Sequence, residues 1–93
     1  PPIDIPEDFF KELSQLSLIR FHATNMRSVP EGLIKDQPHL KKLVFSECEL
    51  STLPVKLFDH QIALEELLLE ENYFSPEEQN RIRVQLPGTY VLF

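Results

Sequence analysis

Residues 40–54 read LKKLVFSECELSTLP, and the same order of apolar side chains occurs twice more in the chain. Residues 16–30, which lie 24 positions earlier, read LSLIRFHATNMRSVP. Residues 64–74, which lie 24 positions later, read LEELLLEENYF. A period of this length is typical of proteins built from stacked repeats, in which each repeat contacts only its neighbours.

Two apolar positions in each copy are separated by a single residue, as in Leu43 and Phe45. Side chains two residues apart on a β-strand point to the same face, so this spacing predicts a strand with one buried face. The equivalent pairs are Ile19 with Phe21 and Leu67 with Leu69. The period also reaches Val91 and Phe93. The sequence therefore predicts four parallel strands, near residues 18–22, 42–46, 66–70 and 89–93.

The ninth position of each copy carries a small polar side chain: Thr24, Cys48 or Asn72. The chain turns out of the strand here, and an amide both donates and accepts hydrogen bonds. We expect Asn72 to satisfy the turning backbone best. Cys48 is the chain's only cysteine, so an internal disulfide is excluded. Its position predicts a buried, unpaired and catalytically silent thiol, because buried thiols are inert.

A helix is predicted over residues 76–86. Ser75 suits the N-cap, Pro76 suits the first helical position, and Glu78 stands three residues after the cap. This arrangement is a capping box, in which the cap and the glutamate each bond the other's backbone N–H. Ile82 lies on the apolar face of the helix, and a Pro-Gly pair ends it.

The full pattern, L-x-x-L-x-L-x-x-N-x-L-x-x-L-P, resembles a leucine-rich repeat, and the closing helix resembles that of bacterial leucine-rich repeat proteins. The resemblance implies an α/β solenoid, a right-handed curved stack. A short parallel sheet of about four strands would line its concave face, with a capping helix and strand at the C-terminal end. Members of this family mostly bind proteins.

The register predicts a single repeat domain that covers residues 1–93. Two interpretations of its start stay open: upstream repeats have been trimmed, or the amphipathic segment 7–16 covers the first strand. The expected units are a partial N-terminal repeat (1–15), three full repeats (16–39, 40–63 and 64–87, the last with the capping helix) and a terminal strand (88–93).

The net charge and the absence of catalytic motifs disfavour several classes of function. The chain carries 15 acidic and 9 basic residues, a formal net charge of -6, which disfavours nucleic acid and anionic membranes but permits a basic protein partner. No apolar run is long enough to insert into a membrane. The sequence has no phosphate-binding loop, nucleophile elbow or paired C-x-x-C motif. We therefore expect no enzymatic activity and no cofactor.

The three histidines are possible metal ligands. His22, His39 and His60, with Asp59 beside the last, match no metal-binding spacing. A single site within one molecule is not expected, and metal bridging between molecules stays open. The paired glutamates, such as Glu65 with Glu66, are interpreted as solvated surface rather than as acid–base groups.

Strand register also identifies the side chains that should point away from the core. Neighbouring strands lie about 4.8 Å apart, so the apolar residues of the fifth position should form a stripe across the sheet. An alternative is that branched residues stand here only because they suit strands. The expected partner-binding residues are Val44, Leu68, Leu92, Tyr90, Lys42, Glu66 and Glu70.

These observations predict a non-enzymatic protein–protein interaction module that binds its partner on the concave face. An acidic rim would steer and select a basic partner; it comprises Glu47, Glu66, Glu70 and Glu71. Two alternatives stay open. The chain could be a structural segment that forms a homo-oligomer through open strand edges, or the targeting portion of a bacterial effector with a separate catalytic domain. The compartment stays open, with a secreted or cell-surface location slightly favoured.

Overall fold

The computed structural model describes residues 3–93, which form a small α/β fold with one parallel sheet and one α-helix. The strands pair in chain order, each parallel to the next. Their bounds are β1 Leu18–His22, β2 Lys42–Ser46, β3 Glu66–Leu68 and β4 Tyr90–Leu92. The α-helix, α1, spans Pro76–Gln85, and a short 3-10 helix spans Val55–Phe58.

Each strand pairs with the next in one unbroken register. Ile19 stands opposite Leu43, Leu43 opposite Leu67, and Leu67 opposite Val91. Equivalent positions therefore stack directly across the sheet, 24 residues apart in the sequence. This confirms the predicted parallel strands and the alignment of the copies.

The predicted inward face is the core face. Leu43, Phe45, Leu67 and Leu69 are fully or almost fully buried. Phe21 stacks on Phe45 with ring centroids 5.5 Å apart and an interplanar angle of 9°. A slip of one residue would have exchanged the two faces of every strand, so the burial of these side chains fixes the register.

β3 is shorter than predicted, because it ends at Leu68 rather than at residue 70. The amide nitrogen of Asn72 donates hydrogen bonds to the carbonyl oxygens of Leu69 and Glu70, at 3.0 and 3.2 Å. Glu71 adopts a left-handed backbone with φ of 61°. These contacts close a turn and end the strand before the predicted limit.

The helix α1 confirms the predicted cap but forms only half of the predicted capping box. The Glu78 backbone N–H donates to the Ser75 hydroxyl at 3.1 Å. The Glu78 carboxylate does not return to Ser75; it accepts from the Thr52 hydroxyl at 2.8 Å and the Leu53 backbone N–H at 3.1 Å. It also pairs with Arg81, whose guanidinium is the main reason that the pKa of Glu78 is lowered. Glu78 thus joins the helix to the preceding loop.

The C-terminal strand begins one residue later than predicted. The Thr89 backbone N–H donates to the Leu86 carbonyl at 3.1 Å, so Thr89 belongs to the turn that leaves the helix. Its hydroxyl donates to the Leu64 carbonyl at 3.0 Å. Within α1, Ile82 is fully buried, as the sequence predicted.

The segment before β1 folds as successive turns around a buried glutamine. Gln37 is fully buried, and its side-chain oxygen accepts from the Leu16 backbone N–H at 3.2 Å. Its amide nitrogen donates to the carbonyls of Phe10, at 3.0 Å, and Leu13. Phe10 and Leu16 pack against the core, whereas Phe9 and Leu13 are exposed. The segment therefore buries only part of its apolar side chains.

Candidate functional site

The face of the sheet that points away from the core carries the candidate site, and we call it the open face. A groove of about 230 Å³ runs along its first three strands. The residues that line this groove are Leu18, Arg20, Lys42, Val44, Ser46, Leu68 and Glu70. Four of the seven predicted partner-binding residues, Lys42, Val44, Leu68 and Glu70, therefore lie together. Glu66, Tyr90 and Leu92 are in register with them on the same face.

The central row of the open face is mostly apolar. Arg20 pairs with Val44, Val44 with Leu68, and Leu68 with Leu92. Val44 lies on the open face, as expected, but only 7% of its surface is accessible. A short branched side chain between two longer neighbours is covered by them, so Val44 forms the floor of the groove. Leu68 and Leu92 are partly buried.

A second row of paired residues crosses the open face, and the residues at its two ends are exposed. Leu18 pairs with Lys42, Lys42 with Glu66, and Glu66 with Tyr90. Leu18 and Tyr90 are 52% and 59% exposed, and both are large. Between them, the Lys42 ammonium lies 3.9 Å from the Glu66 carboxylate. The binding residues predicted from the sequence do not include Leu18, although it lies 24 residues before Lys42, so the period was a sufficient signal.

His22, Ser46 and Glu47 form a small polar group at the carboxyl ends of β1 and β2. His22 Nδ1 lies 2.7 Å from the Ser46 hydroxyl, and Nε2 lies 3.6 Å from the Glu47 carboxylate. Backbone N–H groups often hold the oxyanion in acyl transfer. The Glu47 N–H instead donates to the Glu70 carbonyl at 3.2 Å. The group ties the strand ends together.

An acidic groove of about 350 Å³ adjoins these strand ends. Its lining residues are Glu47, Glu49, Glu71, Asn72 and Tyr73. The three glutamates have left-handed backbones, with φ of 55°, 59° and 61°. In the rim predicted from the sequence, Glu47 and Glu66 have cationic or histidine neighbours, whereas Glu70 and Glu71 form no ion pair within residues 3–93. Half of the predicted rim thus has no neutralising contact among the described residues.

Asn72 supports the open face from the core side. Its side-chain oxygen accepts from the backbone N–H groups of Cys48, at 3.0 Å, and Leu50, at 3.2 Å. Its nitrogen donates to the Phe45 carbonyl at 2.8 Å, besides the two carbonyls at the end of β3. The predicted role of this position is confirmed, since one amide bonds the backbones of two adjacent copies.

Cys48 is fully buried and unpaired, as predicted. Its thiol donates to the carbonyls of Ser46, at 3.3 Å, and Phe21, at 3.5 Å. Burial raises the pKa of the thiol and the nearby Glu47 carboxylate adds to this, against a smaller lowering by a backbone contact with Thr24. The prediction that Cys48 is catalytically silent stays a prediction.

Sequence reasoning missed a series of glutamines that recurs with the same period. Gln37, Gln61 and Gln85 each reach back to an earlier copy. The Gln61 amide donates to the Ile34 carbonyl at 2.9 Å, one period after the Gln37 contact with Phe10. The signal was available, because the three glutamines lie 24 residues apart.

Residues 3–93 contain neither a metal-binding cluster nor a membrane-spanning helix. The side chains of residues 3–93 include no cluster of three or more His, Cys, Asp or Glu placed to bind a metal ion. Over the same residues, no helix has the length and apolar character needed to cross a bilayer. No protein-family model matches the chain, and no curated protein matches it.

Proposed function

We propose that this chain is a leucine-rich repeat solenoid that works as a non-enzymatic protein-interaction module. The fold supports this through four parallel strands in one 24-residue register. The Asn72 hydrogen bonds between adjacent copies also support it. In this proposal the open face is the concave face of a curved stack, and α1 with β4 closes the C-terminal end.

The observation that carries the proposal is the apolar row centred on Leu68 in the groove of the open face. A sheet face that is not part of the core is usually polar, yet here Val44, Leu68 and Leu92 form a continuous apolar row. Exposed Tyr90 stands beside this row. Interfaces bind through a few large side chains around a desolvated centre, and tyrosine is enriched among them. The partner docks with apolar side chains over Leu68 and Leu92.

The charge of the chain fits a partner that is basic overall. Glu70 lines the groove, Glu71 lies one residue further along, and neither is neutralised by a partner within residues 3–93. With a net charge of -6, the chain attracts cations over distances beyond direct contact. Such charges mainly raise the association rate and select among partners, whereas the apolar row supplies affinity.

Binders selected from a displayed library of random linear peptides test this function. Leu68→Glu and Tyr90→Ala are expected to weaken their binding by about tenfold or more, the loss usual for a hot-spot side chain. Val84→Glu is the matched control, because Val84 is an exposed apolar residue on α1 and receives the same charge. Thermal melts of each variant would show whether a loss of binding is caused by unfolding. Equal binding by Leu68→Glu and the control contradicts the proposal.

A second candidate is self-association through the sheet edges. Within residues 3–93, β1 pairs only with β2 and β4 only with β3, so each has one side without a strand partner. Large apolar side chains are exposed near the β1 edge; they are Ile3, Phe9, Leu13 and Leu18. Open edges and exposed apolar patches both favour association. Sedimentation equilibrium should show a mass that rises with concentration, whereas a constant monomer mass up to high micromolar concentration contradicts this candidate.

A further inference from the structure

The central row of the open face begins with Arg20, a cation that has no partner among the described residues. Arg20 is exposed, and its guanidinium makes no hydrogen bond or ion pair with any other residue in the range 3–93. Lys42, the other base in the groove, lies 3.9 Å from Glu66. Arg20 is therefore the groove's one uncompensated cation among the described residues, and it stands directly beside Val44 in the paired register.

We infer that the groove selects an extended partner segment in which an acidic residue lies two and four positions away from apolar residues. The carboxylate would pair with Arg20, and the apolar side chains would lie over Val44, Leu68 and Leu92. This inference rests on the proposed function and names the partner's local chemistry. It is compatible with a partner that is basic overall, because the acidic residue is needed only in the segment that contacts Arg20.

The spacing of the row fits an extended segment that crosses the strands. Strands of a sheet are about 4.8 Å apart, and side chains on one face of an extended segment are about 6.6–6.8 Å apart. Starting above Arg20, the next side chain on that face falls about one and a half strands further, between Val44 and Leu68. The following one falls close to the Leu92 strand. Both apolar contacts are then made by residues at alternate positions.

The charges of the open face decide over which strand the acidic end of the segment lies. Glu66 and Glu70 flank the β3 end of the groove, so a carboxylate is repelled there. At the β1 end, arginine offers the planar donor pair that suits a carboxylate, and such charge-assisted bonds are strong. The net charge of -6 opposes an acid only weakly at this point, because charges beyond about 8 Å are largely screened at physiological salt. The acid therefore belongs over β1.

The test is the charge profile of peptides selected from a displayed library of random linear peptides. On the native chain we expect enrichment of an acid two positions from an aliphatic or aromatic residue. Arg20→Glu should replace that acid by lysine or arginine, while Arg20→Lys should keep it with weaker binding. Lys56→Glu is the matched control: this exposed lysine lies in the 3-10 helix, and its change alters the net charge by the same amount. The control should leave the selected pattern unchanged.

The outcomes separate this inference from the proposed function. Peptides that lack the acid, or whose acid persists with Arg20→Glu, contradict the inference; if Leu68→Glu still abolishes their binding, the proposed function stands. Peptides that bind Leu68→Glu as well as the native chain contradict both, as does a selection with no enrichment. A reversal of charge preference by Arg20→Glu and not by Lys56→Glu supports the inference.

Discussion

Replacement of Asn72 by alanine should destabilise the fold more than its partly exposed position suggests. The side chain makes five hydrogen bonds with backbone groups. Four of them, to Cys48, Leu50, Phe45 and Leu69, lie in partly buried surroundings, whereas the fifth is exposed and its carbonyl, of Glu70, also accepts from the Glu47 backbone N–H. Alanine has no side-chain donor or acceptor, so the backbone groups of two adjacent copies lose the hydrogen bonds that Asn72 makes to them.

The magnitude follows from the number of groups left unsatisfied. A hydrogen bond contributes about 0.5–1.5 kcal/mol net, and a buried group left without a partner costs about 1–3 kcal/mol. The acidic groove beside Asn72 admits water to part of this site, which lowers the cost. We therefore expect Asn72→Ala to reduce the free energy of unfolding by roughly 2–4 kcal/mol.

Thr24 provides the matched control, because it occupies the same position two copies earlier. Within residues 3–93 its hydroxyl makes a single hydrogen bond, to the exposed His22 carbonyl at 3.2 Å. Thr24→Ala should cost about 0–1 kcal/mol. Urea denaturation followed by circular dichroism measures both variants. The reasoning is refuted if the two substitutions cost the same, or if Asn72→Ala leaves the midpoint of unfolding unchanged.

Three further predictions concern single side chains. Leu67→Ala should reduce the free energy of unfolding by roughly 2–5 kcal/mol, because Leu67 is fully buried, and denaturant titration checks this. Cys48 in the folded protein should react with a thiol reagent far more slowly than in urea; equal rates would contradict its burial. Because the pKa of Glu78 is lowered, its carboxylate stabilises the fold at pH values above the unfolded pKa of about 4.3, and this contribution is lost as the pH falls through the folded pKa. Glu78→Gln should therefore reduce the free energy of unfolding at neutral pH and reduce it less at acidic pH, as denaturant titration at several pH values would measure. An equal effect at every pH would contradict a contribution from the pairing with Arg81.

The register and the inward face could be predicted because they repeat. Leu43 and Phe45 have counterparts at the same positions in the neighbouring copies, and each copy places them in the same surroundings. One strand assignment therefore determines the others, and a mistake in face would have to occur in every copy at once. The role of Asn72 was accessible for a similar reason, since its amide chemistry matches a turn that recurs.

Contacts that depend on the size or reach of particular neighbours could not be predicted. The period places Val44 on the open face, but its burial depends on the length of the side chains beside it, which vary between copies. Glu78 stands at a capping-box position, yet its carboxylate turns to Thr52, 26 residues away, because that loop offers two donors and Arg81 lies next to it. Local sequence carries no information about such a distant competitor.

The most direct test of the proposed binding face is its footprint by NMR. Amide chemical shifts of the labelled chain would be recorded during titration with a peptide selected from the random library. The account predicts that the changes cluster on β1, β2 and the residues around Leu68 and Tyr90, while the amides of α1 and of the 3-10 helix at residues 55–58 stay unchanged. Changes centred on α1 or on the 3-10 helix, with an undisturbed sheet, would contradict it.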